Sequence, residues 1–82
     1  MKLPVIKHLV RENESEKIEH TIEVLESYTE HRSVTDEEMD VIGELISNLC
    51  GAVEVKQDIK DGTPERDACN NFMKKVVGSI DR

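Results

Sequence analysis

Residues 34–62, with the sequence VTDEEMDVIGELISNLCGAVEVKQDIKDG, decide the fold because they predict one long helix with a clear beginning and end. Thr35 and Glu38 have the spacing of a capping box, in which each side chain hydrogen-bonds the backbone N–H of the other residue. At the far end, Lys60 suits the negative end of the helix dipole, and Gly62 suits a left-handed cap. A helix of about 25 residues is roughly 37 Å long, which is enough to form the spine of a small domain.

The predicted spine helix carries two apolar seams, which follow the three- and four-residue steps of an α-helix. The first seam comprises Met39, Ile42, Ile46, Leu49 and Val53. The second comprises Val41, Leu45, Ala52, Val55 and Ile59, and Asn48 interrupts it. Together the seams cover more than half of the helix circumference, so this helix needs neighbours on two sides.

Small residues recur at four-residue spacing on the remaining strip of the spine helix: Gly43, Ser47 and Gly51. A glycine inside a helix costs about 1 kcal/mol relative to alanine, so both glycines need an explanation. Either they are tolerated at exposed positions, or a backbone from another chain approaches closely there. The candidate interface residues are therefore Gly43, Ser47, Gly51, Val41, Leu45 and Ala52.

The segment at residues 3–11 has two possible structures. Pro4 suits the first turn of a helix, and the apolar residues after it share a helical face. The same segment also alternates between apolar and polar residues, which is typical of a strand. A single strand would have no partner elsewhere in this chain, so we expect a short helix.

Two further amphipathic helices complete the prediction. Residues 16–31 form one of them, and the short loop after it predicts that it runs antiparallel to the spine helix. Thr63 and Pro64 are typical of a helix start, and they precede a last helix with Cys69 and Phe72 on its apolar face. The predicted fold is all-α, a small antiparallel helical bundle.

The size and composition of the chain predict a single helical domain over residues 1–82 with a thin core. Hydrophobic residues make up 37% of the chain and aromatic residues 2%. A chain of this size buries only about 60 to 65% of the surface that it exposes when unfolded, and many such domains gain stability by oligomerising. We therefore expect a homodimer.

The net charge of −7 opposes binding to phosphate backbones and to anionic membranes. We therefore expect neither nucleic acid nor a membrane among the partners. The sequence also has no apolar run that could span a bilayer and no signal-peptide core, so we expect a cytoplasmic protein. In that reducing compartment Cys50 and Cys69 would be free thiols.

Five acidic residues form a ridge along the helix at residues 16–31. They recur at three- and four-residue steps: Glu16, Glu19, Glu23, Glu26 and Glu30. Like charges at these spacings repel each other by about 0.2 to 0.5 kcal/mol per pair. The ridge is either a solvated face or a contact surface for a partner with a basic surface.

No motif in the sequence predicts catalysis or a cofactor. Cys69 lies on an apolar helix face and Cys50 lies late in a helix, and neither position activates a thiol. The three histidines show no metal-binding spacing, and phosphate-binding and nucleophile motifs are absent. The sequence therefore favours a role other than catalysis and indicates no metal or cofactor site.

Several segments resemble a family of small uncharacterised proteins found chiefly in Bacteroidota. They are residues 1–9 (MKLPVIKHL), 36–48 (DEEMDVIGELISN), 51–55 (GAVEV), and 62–81 with Asn70, Phe72, Met73 and Lys74. The resemblance extends over essentially the whole chain, although residues 10–17 differ from the family pattern. It implies a single bacterial domain and assigns no active site.

The leading functional hypothesis is a small protein-interaction or structural module, because the spine helix has more apolar surface than a helical hairpin can cover. The first alternative is a thiol-dependent or redox accessory protein that uses Cys50 or Cys69. The second alternative is a metal-binding helical protein.

Overall fold

The structure is a computed structural model that describes residues 2–80, with side chains up to Val76. Within these residues it contains four α-helices and no strand, which confirms the all-α prediction. The helices are α1 (Leu3–Glu12), α2 (Ser15–Thr29), α3 (Asp36–Lys60) and α4 (Glu65–Ile80). Helix α3 is the predicted spine, and each of the other helices packs against it.

Both ends of α3 form as predicted from the sequence. The Thr35 hydroxyl accepts a hydrogen bond from the Glu38 backbone N–H at 3.2 Å, and the Glu38 carboxylate accepts one from the Thr35 N–H at 3.1 Å. At the other end, Gly62 has a φ of 107°, a left-handed conformation that favours glycine. These local signals mark where α3 begins and ends.

Helix α1 is held at both ends by side chains of α3. The Lys2 backbone N–H donates to Asn48 Oδ1 at 3.1 Å, and Lys56 Nζ donates to the Val10 carbonyl at 3.0 Å. Both pairs are separated by 46 residues along the chain, so α1 runs parallel to α3. The helix prediction for this segment is confirmed and the strand alternative is wrong, because α3 supplies partners for groups that a helix end leaves unpaired.

Helix α2 packs antiparallel to α3, as predicted. Ile18, near the start of α2, lies in the same depression as Leu49. Tyr28, near its end, donates a hydrogen bond from its hydroxyl to Glu38 Oε2 at 3.3 Å. The first-seam residues Ile42 and Leu49 therefore face α2.

The core surrounds the C-terminal half of α3. Its buried members come from all four described helices: Ile6, Val10, Ile18, Ala52, Val55, Ala68, Cys69 and Phe72. Only Ala52 and Val55 belong to α3, and both are on the second seam. Helices α1 and α4 thus cover the second seam only on the C-terminal side of Asn48.

Gly51 lies where α1 and α4 approach α3 most closely. A Cβ atom at this position would be 2.8 Å from Phe72 Cζ and 3.1 Å from Ile6 Cδ1. Gly51 is buried, which the exposed-strip interpretation did not predict, and its close neighbours are side chains of the same chain. At Gly43 a Cβ would meet nothing within 4 Å. The two glycines therefore have different roles, although both belong to the same four-residue repeat of small residues on α3.

We predict opposite effects on stability for the same substitution at these two positions. Gly51→Ala forces the buried Phe72 ring to move, and overpacking of this kind costs about 1–3 kcal/mol, more than the helix propensity that alanine adds. Gly43→Ala adds helix propensity at an open site and stabilises the protein by up to about 1 kcal/mol. Urea unfolding of both variants measures the difference. An unfolding midpoint for Gly51→Ala at or above that of Gly43→Ala would contradict the packing argument.

Asn48→Ala is predicted to loosen α1 without disturbing the ends of α3. The substitution leaves the Lys2 N–H without its acceptor and costs about 1–3 kcal/mol. Native-state hydrogen exchange should show faster exchange of the amides in the first turn of α1. Asn71→Ala, which truncates an exposed asparagine of α4, is the control. Unchanged exchange in α1 would show that Asn48 does not hold this helix.

Candidate functional site

An uncovered apolar surface lies where α2 meets the N-terminal half of α3. We call this surface the open strip and define it by five residues: Val24, Leu25, Tyr28, Val41 and Leu45. Four of them are large and well exposed, with exposed fractions of 69% for Val24, 59% for Val41, 51% for Tyr28 and 48% for Leu45. Contiguous exposed apolar side chains are typical of an interaction surface.

A groove of about 500 Å³ runs along part of the open strip. Leu25 and Tyr28 of α2 line one wall, and Val41 and Ile42 of α3 line the other. Leu25 also borders the neighbouring depression that contains Val24. Leu45 lies one helical turn beyond Val41 on the same face of α3. The strip is therefore one surface rather than a set of isolated side chains.

The strip is uncovered because of where α1 begins. Val41 and Leu45 belong to the second seam, which continues through Asn48 to the buried Ala52 and Val55. Asn48 accepts a hydrogen bond from the backbone N–H of Lys2, the residue immediately before α1. Helix α1 therefore starts beside Asn48 and covers the second seam only on the C-terminal side of Asn48. The same seam is thus buried after Asn48 and exposed before it.

Two carboxylates form an acidic rim on the groove. Glu37 and Glu38, both in the first turn of α3, line it together with the apolar residues. Hydrogen bonds from the backbone and side chain of Thr35 lower the pKa of Glu38, so this carboxylate is ionised at neutral pH. The groove therefore combines an apolar floor with negative charge at one end.

The acidic rim belongs to a wider division of charge along the chain. Residues 12–54 contain 13 of the 18 acidic side chains and only two of the 11 Lys and Arg side chains, a net charge of −11. The remaining residues have a net charge of +4. This acidic segment includes all of α2 and the N-terminal half of α3, and it therefore includes every residue of the open strip.

The predicted interface residues do not form one surface. Val41 and Leu45 are exposed on the open strip, whereas Gly51 and Ala52 are buried in the core of the same chain. Gly43 is exposed, but it comes two residues after Val41 and so points to the opposite side of α3. Ser47 is half-buried. Of the six candidates, only Val41 and Leu45 contribute to the open strip.

The sequence did not identify the part of the open strip that α2 contributes. By their helical spacing Ile18, Leu25 and Tyr28 share one face of α2, yet Tyr28 is half exposed. Val24 was not singled out at all. One sequence feature could have identified Val24. It is a large apolar residue outside the helix face that contains Ile18, and core residues of an amphipathic helix normally lie on that face.

All five residues of the predicted acidic ridge are exposed: Glu16, Glu19, Glu23, Glu26 and Glu30. Their helical spacing places the ridge on a different side of α2 from Val24 and Tyr28. Within the described residues no group of three or more metal-ligating side chains could hold a metal ion. The ridge lies outside the groove, but its first residue, Glu16, lines the same depression as Val24 and Leu25 of the open strip.

The two thiols differ in exposure, but neither is activated. Cys69 is fully buried within the core, and this burial raises its pKa. Cys50 is exposed as a residue, yet partial burial of its sulfur and the Glu26 carboxylate raise its pKa as well. Reactive thiols need the opposite shift, because the thiolate is the nucleophile.

We therefore predict slow, pH-dependent labelling of Cys50 and no labelling of Cys69 in the folded protein. The raised pKa of Cys50 keeps its thiolate fraction below that of a free cysteine, and the rate should rise about tenfold per pH unit up to that pKa. Alkylation of the Cys50→Ser variant isolates Cys69, which should react only after denaturation. Fast labelling of either thiol at about pH 6 would contradict this prediction and favour the redox alternative.

Comparison with known proteins identifies a family without a described activity. A sequence model of a family of unknown function, DUF6952, matches residues 1–81. No curated protein and no solved structure matches the chain significantly. The resemblance to an uncharacterised family is thus confirmed. None of the helices within residues 2–80 combines the length and apolar character needed to cross a bilayer.

Proposed function

We propose that this chain, which belongs to the DUF6952 family of unknown function, is a small protein-interaction module that binds through the open strip. One observation carries the proposal: the large apolar residues Tyr28 and Val41 line one groove between α2 and α3 although each is more than half exposed, and Val24 and Leu45 extend this exposed surface along the two helices. A core of this size could have used such residues for stability. Their exposure is explained if another protein covers them.

The structure of α3 supports the same function. Helix α3 extends beyond the start of α1, and α2 is the one helix within residues 2–80 that packs along its N-terminal half. The capping box keeps this half helical without further neighbours. A rigid helix pair with an apolar groove is a surface that binds partners with little reorganisation.

The partner of the open strip could be a second copy of the chain, which would give the predicted homodimer. The small core and the excess apolar surface of α3 support it. Location in the cytoplasm and occurrence chiefly in Bacteroidota belong to the same proposal. The acidic ridge of α2 then keeps the module soluble or contacts a partner with a basic surface.

The two alternative functions have less support. A redox role requires a thiol with a lowered pKa, and burial raises the pKa of both thiols. A metal-binding role requires a cluster of ligands, and the described residues contain none. Neither alternative explains why apolar residues are exposed on α2 and α3.

Site-specific photo-crosslinking in native lysate is expected to support the interaction module. A photoreactive phenylalanine derivative at position 45 should give a discrete adduct, because Leu45 lies on the open strip. The mass of the adduct reports whether a second copy or another protein was bound. The same derivative at position 39 is the matched control, since Met39 is a similarly exposed apolar residue of α3 that does not line the groove.

Equal adduct yields at the two positions would mean that crosslinking reports collision rather than binding. The absence of any adduct from position 45, together with a monomeric mass by light scattering, would remove the basis of the proposed function.

A further inference from the structure

We propose that the open strip receives a basic amphipathic helix of about three turns, contributed by a different protein. This inference rests on the proposed function and names the partner of the same surface. It combines two features of the structure. One is the interrupted helix packing along the second seam of α3, and the other is the acidic rim of the groove.

The packing of α1 indicates the shape of the missing partner. After Asn48, the second seam is covered by α1, a helix that runs parallel to α3. Before Asn48, the same seam continues through Leu45 and Val41 beside α2, with no described helix on it. The surface that accepts a helix on one half therefore continues onto the other half.

The length of the uncovered seam sets the length of the helix. Residues 36–48 of α3 extend over about 18 Å, which corresponds to a partner helix of about 12 residues. A helix of this length places three or four apolar side chains on one face, at the spacing that matches Val41 and Leu45. Docking of this kind is a common mode of peptide recognition by hydrophobic grooves.

The charge of the surface selects the partner. Glu37 and Glu38 line the groove, and the segment at residues 12–54 has a net charge of −11. Lys2, which lies at the end of the strip, is 3.9 Å from Glu44 and pairs with it. Lys17 lines the depression beside Val24, but so do Glu14 and Glu16, so the net charge around the strip is negative. Lys or Arg side chains beside the apolar face of a partner helix complement it.

The same charges disfavour a second copy as the occupant. Two copies that meet through their open strips each bring Glu37, Glu38 and an overall charge of −7. Low salt strengthens the repulsion between two acidic copies and so weakens a dimer. Low salt also strengthens the attraction between the acidic strip and a basic helix, and so tightens binding of that helix. The two occupants therefore respond to salt in opposite directions.

Binding of a designed peptide tests the proposal. The probe is a 14-residue amphipathic helix with leucine on one face, lysine on the other and one tryptophan. Because the protein contains no tryptophan, the emission of the peptide reports binding directly. We expect binding that weakens several-fold when salt rises from about 50 mM to about 300 mM. Two control peptides, one with the leucines scrambled and one with glutamate in place of lysine, should bind at least about tenfold more weakly.

Matched variants of the protein distinguish the strip from general attraction to an acidic surface. Glu37→Lys and Asp40→Lys change the net charge equally, but Asp40 lies on another side of α3 and does not line the groove. We expect Glu37→Lys to weaken peptide binding roughly fivefold relative to Asp40→Lys. Leu45→Ser should weaken it roughly tenfold, whereas Met39→Ser should leave it within about twofold.

Each outcome decides between the occupants. Equal weakening by Glu37→Lys and Asp40→Lys overturns the proposal, because binding would then depend on net charge alone. Equal binding of the scrambled or acidic peptide overturns it as well. A dimer that tightens with salt, excludes the peptide and dissociates in the Leu45→Ser variant overturns the basic-helix partner but keeps the proposed interaction module. If Leu45→Ser changes neither peptide binding, self-association nor crosslinking, the proposed function itself fails.

Discussion

The close approach of the Phe72 ring to Gly51 is the contact on which the rest of the structure depends. A Cβ atom at position 51 would be 2.8 Å from the ring, so only glycine allows α4 and α1 to meet α3 at this depth. The contact concentrates the core around the C-terminal half of α3, where Ala52 and Val55 are buried. The N-terminal half of the same helix is left with α2 as its only described neighbour.

Asn48 marks the boundary between these two halves. It is a buried polar residue within an apolar seam, and it is tolerated because its side chain accepts from the Lys2 N–H and donates to the Glu44 carbonyl. Among the described residues, no buried side-chain polar atom lacks a partner. One asparagine thus positions the start of α1 and, as a consequence, determines where the exposed part of the seam begins.

Negative charge and exposed apolar side chains coincide at the groove of the open strip. An apolar groove alone would accept many helices, including a second copy of the chain. The carboxylates of Glu37 and Glu38 line this groove, and like charges at an interface oppose binding, so the proposed function includes the partner's charge. None of the five residues of the acidic ridge lines the groove.

The sequence by itself determined the helices, the ends of α3, the uncharacterised family and the two residues that α3 contributes to the open strip. Periodicity and caps are local properties, so Thr35, Glu38 and Gly62 could be assigned from their spacing, and Val41 and Leu45 could be recognised as surplus apolar surface. Only the tertiary structure decided that Gly51 is buried while Gly43 is exposed. Both glycines belong to the same repeat on α3, and that repeat does not reveal where the neighbouring helices begin. It also decided that Val24 and Tyr28 join Val41 and Leu45. Which face of a helix is covered depends on contacts between residues far apart in the chain, and no local pattern encodes them.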